Sequence, residues 1–317
     1  MSWRAGRAFL RRHRLALTVL VAGASTALLL LLLYGRREEF STAISSAALW
    51  VIGLAIVLQV LGLLARTEAW HHTITAAGGT VPRRALYRAS SMQVLGSVAN
   101  PHLGVAARIA ALRRSSPELS PQVPTLIAAE LPIAAVEAAL ATLTSFTLIG
   151  PLGLPWWLPL VGIAGIVLAS TALRRLALGK GRELWRGLAV VRTSRDGSVL
   201  VGLVLLAVLA QVLRNWLLLH AVGVDASFSD AIAVLIAVVT LGQLPIGPSV
   251  GAAAAVLILG HDGVAATAAA GILLTATGTA GGLCFAAWAG GDHAWARLLR
   301  AGARTTAPPP GPATPPR

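Results

Sequence analysis

The stretch SVANPHLGVAARIAALRR, residues 97–114, interrupts an apolar run with an asparagine, a proline and an arginine. Proline lacks the backbone N–H that a helix interior needs, and it disfavours helical backbone at the preceding residue. Asn100 and Pro101 therefore predict a break between two helices. In a membrane, irregular backbone is tolerated only where it is buried in protein or lines an aqueous cavity. The break thus predicts a cavity at this place.

The composition is that of a polytopic membrane protein. The 317 residues are 56% hydrophobic and 12% charged, and the mean hydropathy is +0.75. Ordinary soluble domains are about 25% charged. The net charge of +14 is spread between apolar segments, so it predicts topology signals and no nucleic-acid partner.

We predict an all-α membrane protein with about six full transmembrane helices, each close to the roughly 20 residues that cross a bilayer. The predicted spans are 15–33, 41–64, 123–149, 156–173, 198–221 and 264–289. Two further apolar regions, 89–112 and 231–259, contain prolines and are predicted to be broken or re-entrant helical hairpins. Eight spans would result if the second hairpin crosses the membrane.

The charges of the connecting segments predict the orientation. Segment 1–14 and loop 174–197 are rich in arginine, and the loop 66–88 is also basic, so all three are expected to be cytoplasmic. Both termini then lie on the cytoplasmic side of a bacterial cytoplasmic membrane. The predicted domain organisation is a basic N-terminus 1–14, a transmembrane domain 15–290 and a proline-rich disordered tail 291–317.

The two broken regions share a pattern of prolines, a glycine and an alanine-rich segment. Aligning Pro101 with Pro248 also matches Gly104 with Gly251, and Pro245 precedes the second of these segments. Three predicted spans lie between the copies, which would invert one relative to the other. Interrupted helices in corresponding positions of inverted halves indicate the binding site of a transporter.

Arg108 follows the first break by about two helical turns. A charged side chain at the centre of a membrane helix costs about 2.5–3.5 kcal/mol on insertion scales. Its guanidinium suits a lipid phosphate, and the alternative is that it reaches the cytoplasmic interface.

Glu130 and Glu137 are seven residues apart and share one face of the third span, 123–149. They could balance Arg108, couple transport to protons or contact a cationic head group. A kink at Pro132 would turn Glu130 toward the cavity.

Arg214 is predicted either as a second phosphate contact or as an interfacial side chain. Asn100 and Gln243, near the two breaks, could bond freed backbone groups or a ligand. Gly278 and Gly282 form a GxxxG pattern, which indicates close helix packing.

The sequence shows no nucleophile elbow, phosphate loop or HExxH motif, so we predict neither an enzyme nor a cofactor. The adjacent His71 and His72 lack a third ligand at metal spacing, so no metal site is predicted.

Three short motifs carry a family resemblance. NPHLGVAAR at 100–108 resembles the asparagine, proline, glycine and arginine pattern of the lysylphosphatidylglycerol synthase transmembrane family, also called the flippase-like domain family. RTEAW at 66–70 is similar to its arginine and tryptophan motif, and LPIGP at 244–248 resembles its second proline-glycine motif. The resemblance covers roughly residues 15–290 and implies a standalone membrane domain that moves or presents a lipid.

The resemblance implies roles for the residues that match its motifs. These residues are Arg66, Trp70, Asn100, Pro101, Gly104, Arg108, Pro245 and Pro248. The sequence departs from the pattern at Val105, where a glutamate is usual, and at Ala252–Ala255, where the second motif has an arginine and a glutamate.

The predicted function is a lipid transporter or flippase-like protein that binds the head group of an anionic or polyprenyl-linked envelope lipid. Arg108, Asn100 and Arg214 are the predicted head-group residues, with Glu130 and Glu137 balancing or coupling charge. The alternative is a non-transporting scaffold or accessory subunit that presents lipid to a separate enzyme. The alanine-filled second motif favours this alternative.

Overall fold

The computed structural model describes residues 37–97, 101–116, 118–178, 183–242, 250–260 and 263–305. Every regular element in these ranges is an α-helix or a 3-10 helix. This confirms the predicted all-α fold class. The predicted basic N-terminus and the first predicted span, 15–33, lie outside the described residues.

Helix α1 spans Arg37–Ser46, and helix α2 follows at Leu49–Ala76. The predicted span 41–64 was therefore wrong at both ends, because it joined part of α1 to α2 and stopped too early. Segment 66–76, predicted as part of a loop, is helical because it contains neither glycine nor proline. The helix ends just before Gly78, whose φ of 90° only glycine adopts readily.

Helices α3 (Arg83–Ser97) and α4 (Pro101–Ser115) form a tight hairpin. A Cβ atom added at Gly96 would lie 3.0 Å from the Cα atom of Gly104, so the helix backbones nearly touch beside the tip. Pro101 is the first residue of α4, a position where its missing N–H costs no helical hydrogen bond. The predicted helix break is confirmed, and Asn100 lies outside the described residues.

The third predicted span is a chain of short helices that begins at residue 123, as predicted, and runs to residue 152. Its helical order is interrupted at Glu130, because Pro132 has no N–H to donate to the carbonyl one turn earlier. The helix is thus interrupted beside Pro132, where the sequence allows a kink. The elements are α5 (Val123–Ala128), α6 (Leu131–Thr144), a 3-10 helix (Ser145–Leu148) and α7 (Ile149–Leu152).

Helix α9 (Ser194–Ala221) packs along α2. A Cβ atom added at Gly62 of α2 would lie 3.0 Å from the Nε2 atom of Gln211 and 3.5 Å from a backbone oxygen of α9. The two helices are therefore in close contact at this point. Before α9 come α8 (Leu158–Leu178) and a 3-10 helix (Glu183–Val191).

The second broken region contains α10 (Phe228–Leu241) and α11 (Val250–Leu259), and α12 (Val264–Thr305) follows. A capping box of Ser227 and Asp230 begins α10. Because α10 ends at Leu241 and α11 begins at Val250, the region is not one continuous helix. Pro245 and Pro248 lie outside the described residues, and the inverted repeat stays a prediction.

Four described helical segments are long and apolar enough to cross a membrane: Leu49–Ala76, Val123–Leu152, Ser194–Ala221 and Val264–Gly291. The predicted span 156–173 coincides with α8, whose apolar part is the shorter segment Leu158–Ala172. The choice between six and eight spans stays a prediction. Helix α12 continues to Thr305, past residue 291 where the tail was predicted to begin.

Two apolar clusters lie at opposite ends of α2. One includes Ala55 of α2, and the other includes Trp70 and Ile74. The polar residues Gln59 and Arg66 lie between these clusters along the helix. The fold thus places a polar layer between two apolar ones.

Candidate functional site

A cavity of about 210 Å³ lies in this polar layer, between α2 and the α3/α4 hairpin. The lining residues from α2 recur at intervals of three or four positions, so they share one face of that helix. The lining residues from α3 show the same spacing. Most of the lining side chains are polar. The lining residues are Gln59, Leu63, Arg66, Thr67, Ser90, Gln93, Val94, Ser97 and Arg108.

Arg108 is held inside the protein by Glu130 and Trp70. Its Nη2 donates to a carboxylate oxygen of Glu130, and its guanidinium carbon lies 3.9 Å from the centroid of the Trp70 ring. The Arg108 side chain is only 1% exposed. The structure pairs Arg108 with Glu130, one of the alternatives that the sequence left open, and the guanidinium does not reach the protein surface. A cation over a tryptophan face adds an attraction.

Arg66 and Glu137 form the second ion pair of the cavity. The two Nη atoms of Arg66 lie 2.9 and 3.1 Å from the two carboxylate oxygens of Glu137. This bidentate pair is 43% exposed on the arginine and 29% exposed on the glutamate. It is therefore much more accessible than the pair of Arg108 and Glu130.

Arg214 of α9 is buried, with 7% of the residue exposed. Its Nη1 donates to the Oε1 atom of Gln59, which also accepts from Nε2 of Gln211 at 2.9 Å. The structure thus favours the interior position for Arg214 over the interfacial one. Gln59 connects Arg214 to the cavity because it lines the cavity wall.

Three glycines of α12 lie behind this wall. Cβ atoms added at Gly278 and Gly281 would lie 3.3 Å from Nη1 of Arg214 and 2.6 Å from Cγ of Gln59. One added at Gly282 would lie 2.6 Å from a methyl group of Val94. Close packing at Gly278 and Gly282 is confirmed, and what approaches these glycines is side chains of other helices.

The structure brings together Arg66, Trp70, Arg108, Glu130 and Glu137 around one cavity. Gly104 lies beside it in the hairpin, where an added Cβ would lie 2.8 Å from the backbone oxygen of Gln93. Asn100, Pro245, Pro248 and Gln243 lie outside the described residues, so their roles stay predictions. Within the described ranges, no three His, Cys, Asp or Glu side chains form a metal-ligating group.

Gln59 was missed from the sequence, whereas Gln211 was noted only as a polar neighbour of Arg214. A signal for Gln59 exists, since it is the one polar residue in the apolar stretch LWVIGLAIVLQVLGLLA, residues 49–65. The sequence suggested that one of the two glutamates balances Arg108, and it gave Arg66 no partner.

The family model of the lysylphosphatidylglycerol synthase TM region matches residues 15–287. The chain belongs to the lysylphosphatidylglycerol synthase transmembrane family. This confirms the resemblance carried by the motifs at 66–70, 100–108 and 244–248. The comparison with curated proteins gives no significant match, and neither does the comparison with solved structures.

This lysylphosphatidylglycerol synthase transmembrane region is a membrane domain of flippase-like type. The match includes α2, α3 and α4 and so covers every helix that lines the cavity. Together with the four long apolar helices, it shows a multi-pass membrane protein.

A polar cluster lies at the end of α2, outside the cavity. The hydroxyl of Tyr87 donates to Glu68, whose carboxylate lies 3.5 Å from Nε of Arg83. Burial, and then the hydrogen bond to Glu68, raise the pKa of Tyr87 to about 12. The cluster joins α2 to the start of α3 and so helps to fix the hairpin that lines the cavity.

The melting temperature of Tyr87→Phe is expected to fall less at high pH than that of the wild-type protein. In the unfolded chain tyrosine titrates near pH 10, whereas folded Tyr87 keeps its proton to about pH 12. Its contribution to stability is therefore full below about pH 10 and is lost as the pH rises through about 12. Melting temperatures of the two proteins across this range measure the effect. Equal declines in both proteins would contradict the prediction.

Proposed function

We propose that this membrane protein binds the head group of an anionic or polyprenyl-linked envelope lipid in the cavity and moves the lipid between leaflets. The observation that carries the proposal is a polar cavity with two arginines, lying between apolar clusters of long membrane-type helices. Buried charged side chains in membrane segments are costly and usually mark a substrate pathway. The acyl or polyprenyl chains would remain in the lipid beside the protein.

The geometry supports different roles for the two cavity arginines. Arg66 is accessible and presents a planar guanidinium, which forms paired hydrogen bonds to phosphate oxygens. Arg108 is enclosed by Glu130 and Trp70, so it would face a phosphate from a fixed position. Arg214 and Asn100 are the further proposed head-group contacts. Glu137 would balance charge when Arg66 turns to the lipid.

The orientation belongs to the same proposal. Both termini would be cytoplasmic, in the cytoplasmic membrane of a bacterium, and the two hairpins would enter from opposite sides. Rocking of the two halves would expose the head group to each leaflet in turn. We propose no catalytic step and no cofactor for this process.

The second candidate function is a scaffold that presents lipid to a separate enzyme without moving it across the membrane. One observation favours it. Helix α11 is packed against α12 through small residues, with Ala252, Ala254 and Ala255 fully buried and no charged side chain among them. The second hairpin thus lacks the ion pair that lines the first.

Lipids that co-purify with the protein test head-group binding. Mass spectrometry of wild-type protein is expected to show one anionic or polyprenyl lipid enriched over the bulk membrane. Arg66→Gln should reduce this enrichment roughly 10- to 100-fold, since a hydrogen bond to a charged group contributes about 1.5–3 kcal/mol. The matched control is Arg175→Gln, at an exposed position in the last turn of α8. Lipid content equal to the bulk membrane in all three proteins would contradict the proposal.

A reconstituted leaflet-exchange assay separates the transporter from the scaffold. Vesicles of the enriched lipid, with and without the protein, are compared for the rate at which labelled lipid crosses the bilayer. A transporter raises this rate, and Arg66→Gln abolishes the increase. Specific binding with no increase would establish the scaffold.

A further inference from the structure

The two arginines that line the cavity are each paired with a glutamate. Glu137 balances Arg66 and Glu130 balances Arg108. Arg214 differs from them, because its partner is the neutral amide oxygen of Gln59. Among the residues that the structure describes, no carboxylate lies within ion-pair distance of Arg214. The charge of Arg214 is therefore not compensated by a carboxylate of the described residues.

The sequence leaves little room for a carboxylate elsewhere. The carboxylates whose side chains the structure leaves undescribed are Glu183, Asp262 and Asp292, and all three lie outside the predicted spans and hairpins. Glu130 and Glu137 are the acidic residues of the predicted spans, and both already have arginine partners. A buried charge without a partner is costly. The compensating anion is therefore expected to come from outside the chain.

Arg214 is one hydrogen bond away from the cavity. The Gln59 side chain both lines the cavity and accepts from Nη1 of Arg214. The charge of Arg214 would act strongly on a ligand in the cavity, because a buried charge is little screened by water. The other lining side chains add hydroxyl and amide groups without net charge: Thr67, Ser90, Gln93 and Ser97.

We propose that the cavity selects a head group with one net negative charge, as a phosphodiester carries. This inference rests on the proposed head-group binding and specifies its ligand. A phosphomonoester carries about −1.5 to −2 at pH 7, and a diphosphate exceeds the single uncompensated cation further. A zwitterionic head group has no net charge, so it leaves Arg214 uncompensated. Only the monoanion brings the charges of Arg66, Arg108, Arg214, Glu130 and Glu137 to a sum of zero.

The binding of three short-chain lipids with identical acyl chains to the purified, detergent-solubilised protein tests this rule. The probes are phosphatidylglycerol with one negative charge, phosphatidic acid with nearly two, and zwitterionic phosphatidylcholine. Native mass spectrometry with pairwise competition gives their relative affinities. Wild-type protein should prefer phosphatidylglycerol over each of the others by at least about tenfold.

Two isosteric variants should change the preferred charge in opposite directions. Gln59→Glu gives Arg214 a carboxylate within the chain, so the preference should move to phosphatidylcholine. Glu137→Gln removes one negative charge, so the preference should move to phosphatidic acid. Glu118→Gln, the same change at an exposed position outside the helices, is the control and should keep the wild-type order.

The outcomes separate the two proposals. If both variants keep the wild-type order of affinities for the three lipids, the charge-matching rule is overturned, while head-group binding stands. No selective binding of any probe, in any variant, would overturn head-group binding and this inference with it. Melting temperatures verify folding. If Gln59→Glu does not fold, the affinities of Glu137→Gln test the charge-matching rule. This variant is expected to fold because the ion pair that it removes is partly exposed.

Discussion

Replacing Arg108 by alanine is expected to lower the free energy of unfolding by about 3–5 kcal/mol, because one partner of a buried ion pair would be left alone. Glu130 would keep its charge inside the protein without the guanidinium that now balances it. Trp70 would also lose its cation–π contact with the guanidinium. Reversible unfolding of the purified protein in mixed detergent micelles measures the change.

The double variant Arg108→Met, Glu130→Gln is the control for this prediction. It removes both charges and fills the space with side chains of similar length, so most of the lost stability should return. A double variant as unstable as Arg108→Ala would contradict the ion pair as the cause. Since the double variant is expected to fold, its co-purifying lipids also show whether Arg108 contributes to binding beyond its structural role.

Gly271→Ala is expected to destabilise the second hairpin by at least the roughly 1–3 kcal/mol typical of overpacking. A Cβ atom at this position of α12 would overlap the backbone of Gly251 and Ala252 in α11. Backbone atoms cannot turn aside as a flexible side chain can, so the two helices would have to separate. The yield of monodisperse protein and its melting temperature measure the effect.

Gly53→Ala is the matched control for Gly271→Ala. It makes the same chemical change inside a helix, but no atom lies within 4 Å of the added Cβ. Alanine favours an exposed helix interior by about 0.5–1 kcal/mol over glycine, so this variant should be as stable as the wild type or more stable. Equal effects at both positions would show that contact with α11 is not the cause.

The breaks in the helices could be predicted from the sequence because proline acts locally. Pro101 fixes the start of α4, and Pro132 interrupts the helix at Glu130, whatever surrounds them. The balance of Arg108 by a nearby glutamate was also predictable, since an arginine inside an apolar helix needs an anion.

The pairing within the site depends on how the helices rotate and slide against one another. The seven-residue spacing places Glu130 and Glu137 on one face, but it does not show that they meet arginines from two different helices. The contact of Gln59 with Arg214 joins residues 155 positions apart in the chain. The extension of α2 through Trp70 was missed because a charged segment suggested a loop, whereas its residues are compatible with a helix.

The three glycines behind the cavity wall have a consequence for the register of α12. Each glycine contacts a side chain of a different helix: Gly278 contacts α9, Gly281 contacts α2 and Gly282 contacts α3. None of these glycines lines the cavity. A helix turns about 100° per residue. Inserting one residue early in α12 would place Thr277 against Arg214 and Ala280 against Gln59, while a glycine, Gly281, would still face Val94. The shape of the cavity is thus encoded partly in a helix that never touches its contents.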